Sequence, residues 1–336
     1  MRELRFATAV TLCRMRVALG ALSLIAAMVL PLDASSQTFP VKPIRLITAA
    51  APGSIPDTVA RPLAERLAEE LQQPVIVENR PGAGGIVAIR LLVKARPDGY
   101  TIGLVSLAQM VFNVYLFTNL PYEPSRDLTP VIQLVAGPLT VAINSSFPAN
   151  SMSDLIALAK AQPGRIHYGV PQFGAPPHVF ALMLNKAAGI DLVAVPFRSG
   201  PDALGSVVAG EVPILFDAPL AVANYVNAGK LKALAVMGHE RSRLLPETPT
   251  LAECGFPDLR SEAWLGLVAP AGVAPAVVAK LNDAASRAMR TPVLKQHFEE
   301  LGWQILGGSP DDFASAMSND HATWGLTLRN SGLRLE

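Results

Sequence analysis

The sequence predicts an α/β protein whose parallel, helix-covered sheets are divided between two lobes. Short β-branched runs alternate with longer amphipathic ones along most of the chain, the pattern of strands joined by crossover helices. Half of the 336 residues are hydrophobic and only 16% are charged, which supplies a sizeable core. About 300 residues remain beyond an N-terminal export segment, a length suited to two lobes.

The elements follow in order. Arg2, Arg5, Arg14 and Arg16 precede an apolar run over residues 17–30, 14 residues that are too few to span a bilayer. Ala34-Ser35-Ser36 then offers small residues to a signal peptidase, so residues 1–36 read as a signal peptide cleaved near Gln37 and the address is the periplasm. The chain holds 28 Lys+Arg against 27 Asp+Glu; residues 1–36 contain four arginines, Glu3 and Asp33, leaving 24 against 25. A near-neutral chain without a basic run has no footprint for nucleic acid or an anionic membrane. Cys13 lies in the signal, so Cys254 stands alone and no intrachain disulfide is expected.

Strands are predicted over 44–48, 75–77, 101–105, 131–143 with an interruption at Gly137-Pro138, 193–197, 213–216 and 231–237. Leu63, Leu67 and Leu71 recur every four residues as one helix face, although Pro62 removes a donor and disfavours helix at Arg61, which predicts a late start. Ser153-Asp154 opens a helix that Pro163-Gly164 stops, and Ser309-Pro310-Asp311-Asp312 starts a terminal one. The segments 131–143 and 261–270 read as crossovers between lobes.

Enzyme signatures are scarce. There is no CxxC, HExxH, GxSxG or GxxxxGK[ST] motif, and His167, His178, His239, His297 and His321 are dispersed without metal-ligand spacing. Gly82-Ala83-Gly84-Gly85 follows a strand and opens a helix, but Val87 stands where a dinucleotide fingerprint needs its third glycine. These glycines read as a tight turn, and no cofactor or metal is expected.

Ligands of open α/β sheets sit beyond the carboxyl ends of strands, where helix N-termini present free N–H groups suited to a carboxylate. The first such loop carries Pro52, Gly53, Ser54 and Asp57; the second carries Gln172, Phe173, Gly174 and Ala175, with Phe173 as an apolar wall. A third, Pro196-Phe197-Arg198-Ser199-Gly200, brings the one cation placed near a pocket, and Asp217 follows the strand at 213–216 as an acceptor or a helix cap.

Taken together, Phe39-Pro40-Val41-Lys42-Pro43-Ile44-Arg45, the 51–57 loop, Glu78-Asn79-Arg80-Pro81-Gly82-Ala83-Gly84-Gly85, Arg96-Pro97-Asp98-Gly99-Tyr100-Thr101, the 196–200 loop, Phe216-Asp217 and Leu245-Pro246-Glu247-Thr248-Pro249-Thr250 resemble the periplasmic receptors of tripartite tricarboxylate transporters, the Bug receptors. Seven motifs in order cover nearly the whole exported chain. The resemblance implies a two-lobed type II periplasmic binding-protein fold, each lobe a mostly parallel sheet flanked by helices, with 37–138 and 262–336 as lobe 1 and 139–261 as lobe 2. It implies capture of a small carboxylate (an organic acid, amino acid or aromatic acid) by a monomer that serves membrane permease subunits. The acid is held largely by backbone N–H groups, hydroxyls and waters. On this pattern Ser106, Gln172 to Ala175, Phe197 to Ser199 and Asp217 join the first loop. Gly53-Ser54 replaces the family's usual two glycines, which narrows backbone access and adds a hydroxyl. A sensing co-receptor with the same clamp, or an exported enzyme, are the competing functions.

Overall fold

The computed structural model describes residues 39–259, 262–330, 332, 334 and 335, so the predicted signal peptide and Cys13 lie outside the described residues. It has two units, Met1–Val41 and Lys42–Glu336, and every element below belongs to the second. Ile44–Thr48 (β1) buries Ile44, Leu46, Ile47 and Thr48, as a central parallel strand requires, and leaves only Arg45 exposed. Ile55–Leu71 (α1) crosses to Val75–Asn79 (β2), and Ile86–Val93 (α2) crosses to Thr101–Ser106 (β3); β1 pairs in parallel with both strands, Ile44 opposite Val75 and Leu46 opposite Ile102. A π-helical turn at Ala108–Phe112 runs into Asn113–Leu116 (α3), and Pro124–Asp127 (α4) leads into the long strand Leu128–Pro138 (β4).

After Leu139 alone, Thr140–Asn144 (β5) already belongs to a second sheet. There Met152–Ala161 (α5), Ile166–Val170 (β6), Pro176–Ala188 (α6), Leu192–Pro196 (β7), Gly200–Ala209 (α7), Ile214–Asp217 (β8), Pro219–Asn227 (α8) and Leu231–Val236 (β9) follow in alternation. Glu262–Pro270 (β10) then rejoins the first sheet, followed by Pro275–Met289 (α9), Pro292–Glu300 (α10), Gln304–Gly307 (β11) and Pro310–Asn330 (α11). The strand orders are β11-β4-β10-β3-β1-β2 and β7-β6-β8-β5-β9.

The two-lobed α/β class is as the sequence predicts, but the sheets are mixed rather than mostly parallel. β10 runs antiparallel to β3 and β4, and β5 runs antiparallel to β8 and β9. The cause is the double crossover: a strand arriving from the other lobe begins at the junction where the lobe's own strands end.

Pro62 does not delay α1, which begins at Ile55 and buries Leu63, Leu67 and Leu71 on one face. A proline within a helix orphans the carbonyl four residues earlier. Here that group is Thr58 C=O, and His297 Nε2 on α10 lies 3.1 Å from it. Since a carbonyl only accepts, Nε2 carries the proton and supplies the missing bond. α5 also differs in detail: its cap is Ser151, whose Oγ accepts from the Asp154 N–H at 3.1 Å, so Ser153 lies inside the helix. Ser309 caps α11 as its sequence predicts, accepting from Asp312 N–H at 3.1 Å.

One continuous apolar core reaches through both lobes. Phe112 on the π-helical turn and Phe180 on α6 both meet Trp324 of α11, with ring centroids 5.0 and 5.2 Å away, the second pair stacked at 16°. Among the described residues no helix is long and apolar enough to cross a membrane.

Candidate functional site

The carboxyl ends of β1, β3, β6, β7 and β8 all open on one cavity of about 440 Å³. Lobe 1 supplies Thr48 to Ala51, Gly53 to Ile55, Ser106, and Trp264 on β10; lobe 2 supplies Gln172, Ala175, Arg198, Ser199, Asp217, Ala218 and Leu220, with Leu139 at the crossover. The N-termini of α1, α6, α7 and α8 therefore converge on one space, where their partial positive charges favour an anion.

The four N-termini differ in what they offer. In the β1–α1 turn, Ser54 spends its hydroxyl hydrogen on Ala51 O at 2.7 Å, and Asp57 and Thr58 both donate back to Ser54 O. Pro56 has no N–H, and the Ala51 and Ile55 amides have no acceptor among the described residues. On α7, Ser199 Oγ accepts from Asp202 N–H at 3.2 Å and keeps its own hydrogen to donate, while Pro201 lacks a donor and the Gly200 N–H has no acceptor among the described residues. α6 opens with Pro176-Pro177, and the Gly174 and Ala175 amides are already bonded, so it contributes little beyond its dipole. At α8 the Ala218 N–H is taken by Asp217 Oδ1 at 2.8 Å.

Ser106 is held by Gln109, whose Oε1 accepts both the Ser106 N–H at 2.9 Å and its hydroxyl at 2.7 Å. Its oxygen accepts from Ala108 N–H at 3.3 Å and faces the cavity as an acceptor. Among the described residues the only charged side chains on the wall are Arg198, which is exposed, and Asp217. Burial, opposed by the Ala218 N–H alone, pushes the Asp217 pKa up to about 6.

Of the residues singled out from sequence, Gly53, Ser54, Ser106, Gln172, Ala175, Arg198, Ser199 and Asp217 line this cavity, and Pro52, Asp57, Phe173, Gly174 and Phe197 do not. Pro52 is exposed on the outer side of its turn. Asp57 is turned inward, 3% exposed, accepting from Gly53 N–H and Arg61 Nε at 2.9 Å and from Asn79 Nδ2 at 2.8 Å. Burial works to raise its pKa, but those three donors outweigh it and hold it below the usual carboxylate value. Its work is to fix the turn. Phe173 is 41% exposed and tilts onto His178 rather than onto the cavity. Gly174, at φ +80°, is required by packing: a Cβ there would come within 2.9 Å of Leu335 and 3.3 Å of Leu116. Phe197 packs behind the wall, close to Gly169 and within the second lobe's smaller core cluster.

The sequence did not mark Gln109, Trp264 or Trp303, all of which line the cavity. The two tryptophans are 4% and 8% exposed, and Trp264 falls in the segment that the sequence marks only as a crossover. Gly84 and Gly85 do form a tight turn, and Phe117 and Gln109 fill the space over them that a pyrophosphate would need.

The model of the tripartite tricarboxylate transporter family receptor matches residues 59–333. This chain belongs to that family. Protein BugT of Bordetella pertussis is 31% identical over 307 residues, covering 90% of this chain and 93% of that one. Among solved structures, MatC from Rhodopseudomonas palustris with bound malate superposes with a TM-score of 0.81 at 31% identity, covering 86% of this chain and all of that one. R. palustris Rpa4515 with adipate gives 0.83 at 28% identity, over 88% of this chain and 99% of that one. These likenesses make the chain a periplasmic-type solute-binding protein of the tripartite tricarboxylate receptor family, a class of binding proteins rather than of enzymes.

Proposed function

We propose that this receptor is exported to the periplasm, closes its lobes (37–138 with 262–336, and 139–261) on a small carboxylate, and delivers it unchanged to permease subunits of a tripartite tricarboxylate-type transporter. The observation that carries the reading is the convergence of four helix N-termini from two lobes on one cavity with a single cation on its wall. Such a site holds an acid through oriented amides and hydroxyls, which cost no reorganisation when the ligand arrives. The Ala51 and Ile55 amides act from lobe 1, and the Gly200 amide and Ser199 hydroxyl from lobe 2. An acid touching both lobes favours the closed arrangement by the difference between its closed-state and open-state contacts. The relatives solved with malate and with adipate support the ligand class.

Thermal-shift screening against organic, amino and aromatic acids tests this. A ligand at 100 times its Kd adds about 2.7 kcal/mol of stability, and Ser199→Ala weakens binding by about tenfold through the lost hydroxyl donor. A broad acid panel that leaves the melting temperature unmoved would sink the proposal.

A further inference from the structure

Along α11, positions 313, 317, 320, 324 and 328 follow the spacing of one helix face. Phe313, Met317, Trp324 and Leu328 all lie in the apolar core or pack against it; the remaining member of the stripe is Asp320. A carboxylate set among apolar side chains is costly to desolvate unless donors meet it, and two indoles do. Trp264 Nε1–H, on β10, donates to Asp320 Oδ2 at 2.7 Å. Burial raises the Asp320 pKa, and that bond opposes the rise together with the Trp324 N–H one helical turn further on. The grip of α11 on β10 is close: the Phe313 ring occupies the place that a Cβ on Gly266 would take, and it meets Trp264 almost at right angles with ring centroids 5.2 Å apart.

Trp264 lines the ligand cavity, and Asp320 stands behind it. Indole has one polar hydrogen, which Asp320 has taken, so Trp264 offers the cavity ring carbons and no donor. An apolar residue at 320 would suit the stripe but leave that N–H without its acceptor. We propose that Asp320 is a positioning residue of the acid-binding site, fixing the Trp264 indole in the orientation that presents ring carbons to the ligand. This rests on the receptor reading just given. A ring fixed before the acid arrives spares the complex the entropy of ordering it; released from Asp320, the ring takes several orientations and binding must select among them.

The test is calorimetry on the purified full chain with the tightest binder among malate, adipate, glutamate and benzoate. Asp320→Leu, close in volume, weakens binding about tenfold, and Asp320→Asn, whose side-chain oxygen still accepts the Trp264 N–H, recovers most of the loss. Trp264→Phe keeps an aromatic wall but has no N–H for Asp320 to hold, so in that background Asp320→Leu changes the affinity by less than about twofold. Equal losses in the two backgrounds, no recovery in Asp320→Asn, or an unchanged affinity in Asp320→Leu overturn the proposal and leave the receptor reading standing. A second measurement needs no change at Asp320. In protein labelled with 5-fluorotryptophan, the Trp264 fluorine resonance, assigned by its absence from Trp264→Phe, is one narrow line before acid is added; a broadened or doubled line also overturns the proposal. Failure of all four acids to bind the unmodified protein overturns both readings.

Discussion

His178 shows how a residue with a familiar catalytic side chain serves the fold instead. It is 3% exposed, its Nδ1 accepts the Gly174 N–H at 3.0 Å, and burial brings its pKa down from 6.5 to about 4. Between those values the unfolded chain takes up a proton that the folded protein refuses. The contribution of His178 is therefore complete above pH 6.5 and is lost as the pH falls to about 4, some 3 kcal/mol in all. Asp217 has the opposite sign: its raised pKa gives stability below 3.8 that is lost as the pH rises through about 6. Urea unfolding at pH 7, 5.5 and 4.5 separates the two. His178→Gln, which keeps an acceptor for Gly174, should lose less stability on acidification than the unmodified protein, and Asp217→Asn should lose more. Parallel declines in all three would rule out this assignment. In the sequence, a histidine four residues beyond a glycine carries no sign of this role, because the role depends on a turn conformation that only the fold specifies.

At the scale of elements, the strand–turn–helix units were legible because their signals are local. β1, β6 and β7 end in loops whose proline, serine or glycine residues announce a helix start, and all three loops contribute to the cavity wall. What was not legible depends on partners distant in sequence. Pro62 argues locally against a helix, and the helix survives because His297, more than 230 positions away, bonds the carbonyl that the proline orphans. This gives a double-mutant cycle. His297→Ala should cost about 1 kcal/mol in the native background. In the Pro62→Ala background, where an N–H returns to Thr58 C=O, it should cost close to nothing. Additive costs measured by denaturant titration would show that His297 stabilises α10 in some other way. Asp57 teaches the same lesson: the sequence places it in a loop expected to meet the ligand, and in the fold Arg61, Asn79 and Gly53 take up its acceptor capacity within the turn.

For the whole molecule, the question is what sets the two sheets facing one another across the cavity. The chain crosses between them at Leu139 and again between β9 and β10, and Met237 N–H donates to Leu139 O at 2.8 Å, so the two crossovers are hydrogen-bonded side by side. Such a pair of strands permits rotation. Away from the cavity wall, the stack of Trp324 on Phe180, with Phe112 edge-on, adds an aromatic contact between the lobes that the crossovers do not provide. Trp324 does not line the cavity, yet the stack holds α6, and with it Gln172 and Ala175 of the wall, against α11. Trp324→Ala should cost about 3–5 kcal/mol through lost burial. It should also weaken acid binding, because a larger open population lowers the fraction of molecules competent to bind. Trp324→Phe, which keeps a ring on Phe180, should recover most of the affinity. Calorimetry with an acid identified in the thermal screen decides the matter. If Trp324→Ala melts earlier but binds with unchanged affinity, the stack serves stability alone, and the lobe arrangement is set by the paired crossovers.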